Sequence, residues 1–426
     1  MRRINLRSAL CIVSGLSAAA IASHASASTY RVLYSFCHGG KFVCADGKTP
    51  AANLVSDAAG NLYGTTSAGG ATGNGVIFEL ARKGTKYQYQ VLHSFDGNLE
   101  GGVPVTALIL DTAGNLYGTT VSGGTNFGGT AFELIPNADH TQWTYQVLTS
   151  FCSEAGAGCV QGMVPESPLT YVKADSGEPY DGVSPLFGTT LEGGANGVGA
   201  VYQLTNSGGS WSGSTIYSFC SVANCADGQF PVGQLGLDAS GNLYGTTNAG
   251  GTGDSSPGVA YKLVVATGFE TVVHNFCSQP SCADGSNPLP GVTLEGKELF
   301  GATALGGKHG SGTVYQLHPT TGKEKVFYSF CKHTGCKDGI GPVGPVIEYG
   351  GALLGAAGGG DAASDGVIYR VGVSNDETVL HTFCAEPGCT DGAVPLGVIV
   401  DRAGNLFGTT QRGGNKNDGV VFELTP

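Results

Sequence analysis

The sequence predicts an all-β protein: a seven-bladed β-propeller of four-stranded blades, with an N-terminal strand closing the last blade. Three observations carry this. First, Gly60-Asn61-Leu62-Tyr63-Gly64-Thr65-Thr66, followed by Gly69-Gly70 and Val76-Ile77-Phe78-Glu79-Leu80, recurs along the chain. It returns almost verbatim at Gly114 to Leu134, Gly241 to Leu263 and Gly404 to Leu424, with looser copies centred on Gly188, Gly301 and Gly355. Second, the copies repeat mostly every 53–57 residues, with one interval of 70 from an insertion near Lys173–Ser184. That length suits four short strands, and propellers close with about four to eight such units. Third, the chain ends complement each other. Tyr30 to Phe36 reads as an outer strand without a blade, and Val420 to Leu424 as a third strand with nothing after it. Joining them leaves no blade incomplete at an open edge. A β-solenoid is the competing architecture, but it usually repeats on a shorter period and needs no closure.

In chain order, residues 1–27 read as a signal peptide. Arg2, Arg3 and Arg7 precede an apolar run from Ala9 to Ala22, and Ala25-Ser26-Ala27 supplies the cleavage pattern. The run is short for a membrane span, which needs about 20 apolar residues. The propeller is expected over 28–426, with the outer strand 29–36 completing the last blade, 392–426. In the first full period, strands are expected at Ala52–Ser56, Leu62–Ser67, Val76–Ala81 and Tyr87–Phe95. The turn Asp57-Ala58-Ala59-Gly60-Asn61 separates the first two, because Asp bonds nearby amides while Gly and Asn tolerate positive φ. Three aromatic registers, represented by Tyr63, Phe78 and Phe95, recur in nearly every copy. Repetition in so many units points to packing between blades.

Twelve cysteines follow the leader and pair by proximity: Cys37 with Cys44, Cys152 with Cys159, Cys220 with Cys225, Cys277 with Cys282, Cys331 with Cys336, and Cys384 with Cys389. Local disulfides in an oxidising compartment are expected, so the protein reads as secreted, extracellular or periplasmic. The chain has 33 acidic against 21 basic residues. Loss of the leader removes three arginines and no acid. An acidic surface repels phosphate backbones and excludes nucleic acid as a partner.

The combination of Leu-Tyr-Gly-Thr-Thr, Gly-Gly, Val-Phe-Glu-Leu, a Ser-Phe strand end and Asp-Gly-x-x-Pro resembles the GloVer tandem-repeat family of exported bacterial proteins. The resemblance runs from about Tyr30 to Pro426 and implies a repeat scaffold, not a chemistry. The copies around Gly301 and Gly355 depart from the pattern, with Ala replacing Thr and no Asp-x-x-Gly-Asn turn.

Antiparallel topology puts the cysteine loops and the Gly-Gly loops at one end of the blades and the insertion at the other. Four residues before a Pro in each outer-to-inner loop stand Asp46, Glu100, Gln161, Asp227, Asp284, Asp338 and Asp391. If they face the channel mouth, they form an acidic ring able to hold Ca²⁺ or to bind a polyol or basic ligand. If they turn inward, each caps its own loop. No cofactor is implied, and the identity of any metal stays open. No catalytic residues emerge. His93, His274 and His381 share a register with Tyr34, Tyr217 and Tyr328, which reads as a packing or surface position. His38, His309 and His333, on the cysteine-loop face, are the better candidates for chemistry. The functional reading is a binding or surface-interaction scaffold, monomeric, for a glycan or another extracellular protein. A carbohydrate-active or lactone-type hydrolase or lyase on the same face is the alternative, and a structural envelope protein the third.

Overall fold

The computed structural model describes residues 28–38, 44–153, 158–174, 177–252, 256–360, 365–372 and 374–426; the expected signal peptide lies outside them. Seven antiparallel sheets follow one another around a ring. Blade 4 shows the plan, from inner to outer strand: Gln229–Leu237, Asn242–Ala249, Val259–Val264 and Phe269–Asn275. Its second strand carries Tyr-Gly-Thr-Thr, whose Gly245 lies opposite Tyr261 on the third strand. A Cβ at Gly245 would meet the Tyr261 hydroxyl at 2.5 Å, so the aromatic ring requires the glycine.

The ring closes as the chain ends predict. Thr29–Ser35 pairs antiparallel with Val420–Thr425 and completes the blade built from Ala393–Val400 and Leu406–Arg412. Arg31 and Glu423 form an ion pair across the joint. Phe36 and Phe422 are fully buried on either side of it.

The inner strands differ from expectation. In blade 1 the expected strand at Ala52–Ser56 is two pieces, Lys48–Pro50 and Val55–Ser56. In blade 3 it shrinks to the bridges Met163↔Glu192 and Thr170↔Phe187. A repeated device explains the breaks. The residue before the motif proline sits at positive φ: Thr49, Val103, Val164, Phe230, Asn287, Gly341 and Val394. Its N–H leaves its own sheet and donates to the preceding blade, as Val103 does to Asn74 (2.8 Å) and Phe230 to Val198 (2.8 Å). Non-glycine residues rarely adopt this conformation, and surrounding contacts must enforce it. The Asp-Gly-x-x-Pro motif is therefore a coupling between neighbouring blades.

The Thr pairs do related work. Thr246 donates to the Pro288 carbonyl of the next blade at 2.7 Å, and Thr409 to Ala52 at 2.7 Å. In blade 4 the second Thr stays within its blade: Thr247 accepts from the Val259 N–H at 3.1 Å. The insertion before Leu186 packs on the far end of the blades. Tyr180 is fully buried there, edge-on to Tyr117, and exchanges backbone hydrogen bonds with Leu110 and Thr112 of blade 2.

Candidate functional site: the cysteine-loop face

All six expected disulfides are formed, each within one outer-to-inner loop. The carbonyl of the second cysteine binds that loop to a Gly-Gly loop: Cys225 accepts from Gly251 and Cys282 from Gly307, at 2.9 and 2.8 Å. The two loop sets thus share one face and are tied together by backbone hydrogen bonds.

The repeated acids turn inward on this face. Asp227 accepts from the Ser221 N–H (2.8 Å), the Val222 N–H (3.2 Å) and the Tyr217 hydroxyl (2.7 Å). Asp284 accepts from Ser278 N–H and Oγ and from Gln279 N–H. Asp338 takes Lys332, His333 and Tyr328, and Asp391 takes Ala385 and Glu386. These four carboxylates are buried. Asp46 likewise accepts from His38 N–H and the Tyr34 hydroxyl. Gln161 accepts from the Ser153 hydroxyl at 2.6 Å. Glu100 differs: its side chain is 41% exposed and lies 3.3 Å from His93 Nε2. Partial burial and the nearby Asp96 push its carboxyl upward.

The register shared by Tyr and His is more than a packing position. At six junctions it holds the group that faces the loop acid: Tyr34, His93, Tyr217, His274, Tyr328 and His381. A third residue comes from the next blade's outer strand, four positions before that blade's own copy of the register. Tyr89 stacks on Tyr34, Tyr145 on His93 and Tyr30 on His381, with centroids 4.0, 4.2 and 3.8 Å apart. At the junctions entering blades 4, 5 and 6 a glutamate stands instead: Glu270 by Tyr217, Glu324 by His274 and Glu377 by Tyr328. The remaining junction is small on both sides, and a Cβ on Gly213 would lie 3.3 Å from Thr149 Oγ1.

Electrostatics follow the same division. Burial pushes Glu270 and Glu324 up to about 8 and Glu377 to about 7, with Asp227, Asp284 and Asp338 respectively adding repulsion. Burial pulls His93 and His381 down to about 4, against the pull of Asp96 and Asp391. By contrast His38, His309 and His333 are exposed on loops. The histidines beside the acids are the ones sequence reasoning set aside. A signal was present: Tyr and His alternate in that register, and both carry a polar tip at the end of a flat ring.

Three large apolar side chains are exposed on this face around blades 2 and 3, as Val222 and Leu305 are further round the ring. Leu99 and Phe127 are each 69% exposed, and Val160 is also exposed. Their loops touch: Gly124 N–H donates to Asn98 at 2.7 Å, and the Asn126 side chain donates to the Cys152 carbonyl at 2.6 Å.

Fold and face together define a closed tandem-repeat β-propeller with loops pinned on one side. The repeat pattern of the Gloeobacter/Verrucomicrobia repeat family matches residues 20–183, 173–337 and 253–426, and the chain belongs to that family. No curated protein matches the chain. Among solved structures it is similar to a putative 6-phosphogluconolactonase from Bacteroides uniformis, with TM-score 0.49, 14% identity, and 84% of this chain and 96% of that one covered. It is also similar to a puromycin hydrolase mutant, with TM-score 0.48 and 11% identity; 85% of this chain is covered but 50% of the hydrolase, so it spans half that enzyme's length. A putative oxidoreductase (glucose dehydrogenase) from Thermus thermophilus matches with TM-score 0.43 and 13% identity, covering 93% of this chain and 100% of that one. At these identities the likeness concerns the path of the chain, not chemistry.

Proposed function

We propose that the protein is an exported binding scaffold whose cysteine-loop face captures a glycan or another extracellular protein at blades 2 and 3. The observation that carries this is the departure from sevenfold repetition at one place. Five of the six repeated acids are held by N–H donors of their own loops. Glu100 is half-exposed, and Gln161 replaces a carboxylate. Leu99, Phe127 and Val160 present apolar surface around them. An exposed aromatic ring beside polar groups offers a stacking face with hydrogen-bonding partners, which suits a sugar or a protein hot spot. The Leu99–Glu100 loop is tied to the Phe127 loop by the Gly124–Asn98 backbone hydrogen bond, and the Cys152–Cys159 disulfide closes the loop beside Val160, which lowers the ordering entropy that opposes binding.

The test is a glycan array and a panel of extracellular matrix proteins, probed with residues 28–426. Phe127→Ala and Glu100→Ala should abolish the signal, while Tyr349→Ala, on the opposite face, should retain it. Binding that survives both loop substitutions, or that is lost with Tyr349→Ala, would place the site elsewhere.

A further inference from the structure

We propose that His274, Asp284 and Glu324 form a site for one divalent transition-metal ion of the zinc class, set between the outer strands of blades 4 and 5. His274 Nε2 lies 3.4 Å from Asp284 Oδ2 and 3.9 Å from Glu324 Oε2. One ligand atom from each residue falls within 4.8 Å of the others. Ligands at about 2.0–2.1 Å around a tetrahedral ion stand roughly 3.3 Å apart, so small side-chain rotations bring all three into contact with one ion.

The site is built and buried. The side chains of Asp284, Glu324 and His274 are 0%, 4% and 11% exposed. Glu324 Oε1 is buried without a hydrogen-bond partner, an arrangement that costs free energy unless something supplies the missing contact. The supporting groups are in place as well. The imidazole lies beside the Gly322 backbone and the Asp284 carboxylate. Ser278 and Gln279 orient the Asp284 carboxylate. Two buried carboxylates repel one another, and an ion of charge +2 neutralises both.

Comparison among the seven described junctions isolates this one. His93 and His381 also face an acid, but Tyr145 and Tyr30 stack on their rings where Glu324 stands here. Glu270 and Glu377 also join an acid, but Tyr217 and Tyr328 fill the imidazole's place and donate to the aspartate. Among the described residues, an imidazole and two carboxylates with ligand atoms within 4.8 Å of one another coincide at this junction alone. One nitrogen and two oxygens favour a borderline ion such as Zn²⁺ over Ca²⁺, which takes six to eight oxygens.

The experiment titrates Zn²⁺ into chelator-treated residues 28–426 by calorimetry. One tight equivalent is expected. Two substitutions preserve packing: His274→Tyr copies the residue at the matching positions of blades 3 and 5, and Glu324→Gln is isosteric. Each should abolish the tight equivalent while leaving the urea midpoint of the metal-free protein close to that of the parent. Absence of a tight equivalent in the parent overturns the proposal. So does an equivalent that survives both substitutions, which assigns binding to surface histidines.

Discussion

Replacing Asp227 with Ala separates a loop cap from a ligand carboxylate. The side chain accepts two backbone N–H groups and the Tyr217 hydroxyl, and it is 1% exposed. Truncation orphans three donors. A buried unpaired donor costs about 1–3 kcal/mol. Ser221 and Val222 are both exposed, so their N–H groups recover part of their bonding from water. The Tyr217 hydroxyl carries most of the cost, giving roughly 2–3 kcal/mol in total. Urea denaturation of residues 28–426, compared at fixed m, measures this. Asp227→Asn, which keeps one carbonyl oxygen, should fall between parent and Ala variant. Glu100→Ala, half-exposed, should change stability by less than about 1 kcal/mol. If the seven positions instead formed an open ring of mutually repelling acids, Asp227→Ala would be neutral or stabilising. A loss below about 1 kcal/mol for Asp227→Ala would refute the capping argument.

Two further outcomes follow from closure and titration. Deleting residues 28–36 removes buried Phe36 and bares the edge of Val420–Thr425, so the shortened chain should self-associate on gel filtration. Adding a peptide of residues 28–36 should restore the monomer; a shortened chain that stays monomeric alone would show that the joint is dispensable. Glu270, Glu324 and Glu377 have folded values near 8, 8 and 7, above the unfolded value of about 4.3. The folded state then binds more protons than the unfolded state, so their contribution falls as pH rises toward 8. His93 and His381, lowered to about 4, act oppositely by destabilising the fold as pH falls below about 6.5. In chelator, between pH 6.5 and 9, the parent should therefore lose stability with rising pH. The triple Glu→Gln variant at 270, 324 and 377 should flatten that slope; an unchanged slope would mean that other groups carry it.

Much of the fold was legible because it repeats. Leu62 to Thr66 and its copies mark the second strands, and Tyr30 to Phe36 reveals the closure without reference to any partner. The broken inner strands were not legible. Positive φ at Val103 or Phe230 is imposed by a hydrogen bond to the preceding blade, and no local propensity signals it. The site was harder still. Comparing copies column by column shows that Tyr and His share a position. It does not show that His274 meets Asp284 of its own loop and Glu324 of the following blade. That triad spans two repeats and three columns, so it appears only when the blades are set side by side. The inward turn of Asp227 and Asp284 was one of two outcomes open at the outset, and side-chain geometry distinguishes them.

The junctions also bear on how a chain of seven near-copies finds its correct neighbours. Internal repeats invite misassembly, because each blade resembles the others enough to dock out of order. Here the matching faces differ. Thr149 leaves room for Gly213 and would collide with a tyrosine. His93 and Tyr34 accept a flat ring, while Tyr217 and Tyr328 meet a glutamate. A blade placed beside the wrong partner loses a stack, buries an unmatched carboxyl or leaves a void. Identical strands build the wheel, and these unequal contacts give its segments an order of assembly that the common motif alone does not encode.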